Sequence, residues 1–425
     1  MEYLIDGQLA KSVTASALGM STVDCSDMMD EGDSWSFAVE LLDPVTPRSL
    51  RERLNRREPG ILSIPQGTER VVIRFPNPRW KSDADTSNWA GQRVASMALA
   101  ARALEFTEFE TIVPAVYAWS EGSPHDPTFV IEEYRPELRL SDYFDGLDET
   151  RQADVLRDFA AITRYFQAYV LPWGLQGYGS LAFDANGRLT LSGSHLIPGR
   201  PGPFGNFRDC LSARAQRSWE VCEDHWSAKE NWPLLSRVRE FYITKNEELL
   251  DAFKDMQMTA FIHCGLDLQN VLYDPQKGKI TTLMDYGRCR IDHPLFEYFN
   301  SFSSIMGKLF YPFDAHLQFL VECVLEGFPV EECPIDDLDR SYLATSENNM
   351  SKRYAVGKKF HGQLEFHDAD VLTPWKTTQA KQLCYLLGIY DAMRGRCRVA
   401  CGLSAAEAEE QKEEILKKYL AYYGS

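Results

Sequence analysis

The stretch Phe261 to Asp292 (FIHCGLDLQNVLYDPQKGKITTLMDYGRCRID) holds the residues best suited to chemistry. A short apolar entry leads to His263, and Asn270 follows seven residues later. Two apolar segments, Val271 to Tyr273 and Ile280 to Leu283, flank a turn at Asp274 to Gly278, and the second of them delivers Asp285, Tyr286 and Gly287. An amide and a carboxylate at neighbouring strand ends offer the hard oxygen donors that magnesium prefers. Such a metal, beside an acceptor hydroxyl held in line, is most of what phosphoryl transfer asks of a protein. His263, Asp267 and Asp285 are the titratable candidates. Cys264 reads either as a reactive thiol or as a small packed residue.

These residues need elements to hold them. Ser36 to Leu42 and Arg70 to Phe75 carry the β-branched and aromatic content of strands, with an Arg-rich loop or insertion, Pro44 to Pro59, between them. Asp85 to Leu104 has the composition and spacing of a helix with one buried face, and Thr128 to Tyr134 reads as a further strand. The first third is thus strand-rich with one helix. From about Asp142 helix signals dominate. Glu149 to Gln167 is helical, Leu181 to Phe183 and Arg188 to Leu191 form a hairpin about Asn186-Gly187, and Gly199 to Gly205 is loop. A long helical stretch from Arg208 to Phe253 breaks near Trp232-Pro233, and a short strand at Thr259 to Phe261 enters the chemical segment. At the far end Ser404 and Glu407 predict a capping box, and Glu413 with Lys417 and Glu414 with Lys418 predict i,i+4 pairs.

The chemical segment resembles the aminoglycoside phosphotransferases and their fungal and bacterial relatives. That family carries H-G-D-L-x-x-x-N, a hydrophobic hairpin and a D-F-G-like triplet, matched here at His263, Leu266, Asn270 and Asp285. The resemblance spans about Met29 to Tyr298 and implies an α+β, protein-kinase-like fold of two lobes. We expect a small mixed nucleotide-type lobe over residues 1–135 and a mainly helical lobe over 136–425 that holds the catalytic-type loop, 261–292. It implies ATP and magnesium as cofactors, with the metal on Asn270 and Asp285 and a loop-anchoring role for His263. The place of the family's catalytic aspartate is occupied by Gly265. Asp267, two residues on, reads either as a substitute base or as a loop residue that accepts from backbone N–H groups. Arg74 stands where relatives place the cation that meets nucleotide phosphates. The helix acid that would pair with it is missing, and Arg93 in that phrase would repel it. Gly32 to Ser36 occupies the place of the phosphate-covering loop, with Ser34 and Ser36 as phosphate donors, and Glu132, Glu133 and Tyr134 resemble the nucleotide hinge.

The 425 residues carry a formal net charge of -17, which opposes binding to nucleic acid or to anionic membrane surfaces. The sequence predicts no secretory signal and no membrane span, hence a cytoplasmic protein with a small-molecule partner. The ten cysteines show no C-x-x-C pair and read as free thiols, and His195, His225, His361 and His367 lack the spacing of a shared metal site. Trp226, Trp232, Tyr298 and Phe299 suit either an acceptor pocket or core packing. Three functions follow: phosphoryl transfer from ATP to a small hydroxylated metabolite, a non-phosphoryl reaction of secondary metabolism (a cyclisation, addition or rearrangement), or a non-catalytic pseudokinase.

Overall fold

A computed structural model describes residues 5–27, 34–46, 58–77, 88–123, 125–193, 202–227, 233–307, 315–329, 350–366, 371–395 and 404–425. Its first sheet is antiparallel, in the order β1 (Thr22–Asp27), β2 (Ser34–Leu41), β3 (Arg70–Pro76), β5 (Phe129–Glu133), β4 (Val116–Ser120). Alternation along these strands gives the sheet two unlike faces. One face carries Phe37, Val39, Val71, Ile73, Phe75 and Ile131, and it packs against Ala10 and Leu18 of the helix α1 (Gly7–Leu18). The other face carries Ser34, Ser36, Arg74 and Glu132, in register across β2, β3 and β5.

Helix α2 (Trp89–Ala103) covers this second face. Its start is capped at long range, because Glu121, just past β4, accepts from Ala90 N at 3.3 Å and Gly91 N at 2.5 Å. The expected single buried face of this helix is too narrow. Buried residues run right round α2, Gln92 and Arg93 included, since the helix is wedged between the sheet and the rest of the molecule. The first third also holds two helices among its described residues rather than one, α1 being the addition.

The larger part is mainly helical: α3 (Glu149–Ala168), α4 (Phe207–Ser227), α5 (Leu234–Glu240), α6 (Asn246–Asp251), α7 (Leu295–Asn300), α8 (Ala315–Glu326), α9 (Met350–Phe366), α10 (Gln379–Met393) and α11 (Ala405–Tyr422). A π-helical turn, Phe241–Lys245, joins α5 to α6. Two small sheets complete it. One runs β11 (Lys279–Leu283), β10 (Val271–Asp274), β6 (Leu138–Arg139); the other runs β8 (Leu189–Ser192), β7 (Gly179–Phe183), β12 (Arg290–Asp292), β9 (Ala260–Ile262). The architecture is therefore α+β and kinase-like. Among the described residues no helix is long and apolar enough to cross a membrane.

Ser404 and Glu407 form the expected capping box of α11. The pair seen nearest its end joins Lys417 to Glu414 at i,i+3. Gly32, Asp33, His195, Trp232, His367 and residues 47–57 lie outside the described residues, as do the side chains of His225 and Trp226.

Candidate functional site

Gly265 sits at the focus of the chemical segment. A Cβ on it would lie 3.1 Å from Asn270 Nδ2, 3.5 Å from His263 Nδ1 and 3.6 Å from Asp285 Oδ2. Asn270 and Asp285 thus flank one spot, although the hairpin of β10 and β11 separates them in sequence. Asn270 Nδ2 donates to Gly265 O at 2.7 Å, which leaves its Oδ1 as a possible hard donor toward a metal. Cys264 and Asp285 both hold left-handed backbones, at φ 59° and 64°. Non-glycine residues in that region carry local strain, which concentrates at functional sites.

Two buried carboxylates fix the loop from below. Glu297 on α7 accepts from His263 N at 2.5 Å, from Cys264 N at 3.1 Å and from the Ser301 hydroxyl. Burial pushes its pKa up, against the pull of these donors. Asp267 accepts from Leu268 N at 2.8 Å, Ser303 Oγ at 2.5 Å, Ser304 N at 3.2 Å and the Ser304 hydroxyl. Burial raises the Asp267 pKa too, opposed by the same donors. These donors, Leu268 beside it and Ser303 and Ser304 far along the chain, occupy the carboxylate. As a substitute base it would first have to give up those partners.

His263 is fully buried, and burial lowers its pKa to about 3, opposed by the Met284 backbone and helped by the charges of Arg288 and Arg93. Its ring meets Tyr286 edge-on at 5.2 Å. A ring held neutral and out of water is ill suited to proton transfer at neutral pH. Cys264 is buried and its thiol is pushed up to about 12, so it packs rather than reacts.

Arg74 overturns one expectation. It pairs with Glu132 on the neighbouring strand, donates to Ser36 Oγ at 2.6 Å, and is 4% exposed. Arg93 approaches the same carboxylate oxygen, 3.8 Å from Glu132 Oε1. The repulsion between the two arginines is offset by this shared acid on β5. Gln92, next along α2, donates to Gly287 O at 3.0 Å and ties the helix to the turn after Asp285.

The remaining predicted positions are placed as follows. Ser34 and Ser36 are strand residues opposite Pro76 and Arg74, not members of a preceding loop. Glu133 Oε2 accepts from Ala115 N at 3.2 Å and from Arg135 at 2.9 Å, while Tyr134 lies under Arg70 at 5.8 Å. Tyr298 and Phe299 are buried, Tyr298 against Phe302 and Trp375, which is core packing. His361 packs on Trp375 at 4.3 Å and reaches Glu365 at 3.7 Å. Among the described residues no group of three His, Cys, Asp or Glu could hold a metal, and the described cysteines are free thiols.

The model of the phosphotransferase enzyme family, APH, matches residues 64–317, and that span includes Arg74, Gly265, Asn270 and Asp285. The chain belongs to this family. Among solved structures, the ADP-bound aminoglycoside phosphotransferase APH(2'')-Ib is similar at a TM-score of 0.50 and 11% identity, over 99% of either chain. The amicoumacin kinase hAmiN, in complex with AMP-PNP and Ca2+, is similar at 0.47 and 10%, over 98% of this chain and 94% of its own. At 11% identity the first likeness carries the fold alone. No curated protein sequence matches the chain.

Glu297 and the role of Glu132 escaped sequence reasoning. Glu132 sits in the strand read at Thr128 to Tyr134, and alternation alone would have put it on one face with Val130. Its meeting with Arg74 needs the strand register. Glu297 offered no signal beyond a carboxylate in an apolar helix.

Proposed function

We propose that the chain transfers the γ-phosphoryl group of ATP to a hydroxyl of a small metabolite, slowly, because its catalytic loop lacks an acceptor-orienting carboxylate. The observation that carries this reading is the convergence of Asn270 and Asp285 on Gly265. In this reading Asn270 and Asp285 would hold magnesium, which would supply positive charge to the phosphate oxygens. Arg74, braced by Ser36 and Glu132, meets the nucleotide phosphates. The backbone near Glu133 and Tyr134 receives the base. Residues 1–135 serve as the nucleotide lobe and 136–425 as the acceptor lobe. A general base contributes about 10²–10⁴-fold, so its loss slows transfer without forbidding it.

The deciding experiment is calorimetric titration of ATP with and without magnesium, into the wild type and Asp285→Ala. Magnesium-dependent binding that the substitution abolishes supports the reading. Wild type that ignores millimolar nucleotide sinks it.

A second reading has its own support. With Gly265 bare and Asp267 taken up by Ser303 and Ser304, no acid of the segment His263 to Asn270 is left to receive an acceptor proton. The cleft would then serve a metabolite reaction without phosphoryl transfer, or binding alone. Turnover of a metabolite in the absence of nucleotide would favour it, and strict ATP dependence would exclude it.

A further inference from the structure

We propose that Arg93 is an oxyanion-binding residue of the cleft, acting with Arg74 on one phosphate-type group while Glu132 serves as counter-ion to both arginines. The inference rests on the cleft being the ligand site, as in the reading above. It adds a contact that neither the predicted metal ligands nor Arg74 supplies.

Charge balance comes first. Arg74, Arg93 and Glu132 are 4%, 1% and 2% exposed, and both guanidinium groups approach the Glu132 carboxylate away from water. Among the described residues Glu132 is the one acid within ion-pair distance of Arg93. A buried guanidinium with half a partner is costly unless an anion completes it.

Hydrogen bonding points the same way. The 3.8 Å approach to Glu132 is an ion-pair distance, too long for a hydrogen bond. Arg93 Nε and Nη1 have no hydrogen-bond partner, although the side chain is almost wholly out of solvent. Trp89, one turn earlier on α2 with its ring 6.0 Å below Arg93, has an unpartnered Nε1–H. Ser34 Oγ, on the same sheet face as Arg74, is buried and unpartnered as well. Water could satisfy these donors but not the charge of Arg93, whose nearest acid stands 3.8 Å away and also pairs with Arg74. A phosphate-type oxyanion satisfies both, since adjacent guanidinium N–H groups match two of its oxygens.

The test titrates inorganic pyrophosphate, without magnesium, into the wild type, Arg93→Met, Arg93→Lys and Arg74→Met, with melting curves to confirm folding. We expect the wild type to bind, Arg93→Met to weaken binding about tenfold or more, and Arg93→Lys to fall between, keeping the charge but losing the fork. If Arg93→Met does not fold, Arg93→Lys carries the test alone through the same intermediate loss. Wild type that binds no pyrophosphate overturns the proposal, as does a folded Arg93 variant that binds like wild type. ATP titrated in parallel separates the two ideas. Pyrophosphate binding without magnesium-dependent ATP binding removes the kinase reading and leaves Arg93 standing, whereas ATP binding indifferent to Arg93 does the reverse. Competition between ATP and pyrophosphate assigns the oxyanion to the nucleotide, and its absence assigns it to the acceptor.

Discussion

At the scale of the residue, the site turns on one missing side chain. Gly265 does not need glycine for its backbone, since its φ lies outside the left-handed region, which Cys264 and Asp285 occupy instead. A side chain is therefore admissible there if Asn270 yields a few tenths of an ångström from the 3.1 Å contact. We expect Gly265→Asp to raise nucleotide-dependent phosphoryl transfer by about 10²-fold, the low end of what a positioned base supplies. Gly265→Ala, which meets the same contact without a carboxylate, should not. Equal rates in the two variants would mean that the acceptor is not addressed from this position. His263, Asn270 and Asp285 were legible in the sequence through the family motif they match, although a hairpin separates the last two. The partners of Asp267 were not, because Ser303 and Ser304 lie 36 and 37 residues away. The link of Arg74 to Glu132 depends on a strand register that no spacing reveals.

At the scale of the element, β2, β3 and β5 of the first sheet and the helices α3 and α4 were legible where periodicity was strong, whereas β4 was not read as a strand. Helix α1 was not. Its buried residues are Ala10, Thr14 and Leu18, two of them too small or polar to mark an apolar stripe. The neighbouring β1 is largely exposed, with no clean alternation. Helix α2 was found but its surroundings were misjudged, since burial on every side comes from tertiary wedging. Helix α7 illustrates an element whose worth is invisible locally: it is short, yet Glu297 on it holds the backbone of His263 and Cys264. Glu297→Ala would strand two buried N–H groups, at a cost of about 1–3 kcal/mol each. We expect urea unfolding to show a loss on the order of 3 kcal/mol, with Glu297→Gln losing less because an amide oxygen can still accept. Hydrogen exchange at His263 and Cys264 should quicken in the alanine variant. Unchanged exchange there would show that the loop is held by other contacts.

At the scale of the whole molecule, the formal charge of -17 says little about how stability responds to pH, because a few buried groups set that response. Burial lowers His263 to about 3 and His293 to about 4. Below their ordinary pKa of 6.5 the unfolded chain therefore takes up protons that the folded chain refuses, and stability falls as pH falls. Asp158 on α3 acts in the opposite sense. Burial first, then Asp154 and Glu108, raise it to about 6 from 3.8, against Arg157 and Lys279. Between those values the folded chain binds a proton that the unfolded chain does not, so Asp158 adds stability as pH falls toward 4 and costs stability above 6. Asp158→Asn removes this charge at every pH. The variant should melt above wild type at pH 7.5, and the gap should close as pH falls from about 6 to about 4, where the wild-type carboxyl is already neutral in the fold. A gap that stays constant across that range would mean that Asp158 titrates alike in both states, with Lys279 and Arg157 offsetting its burial.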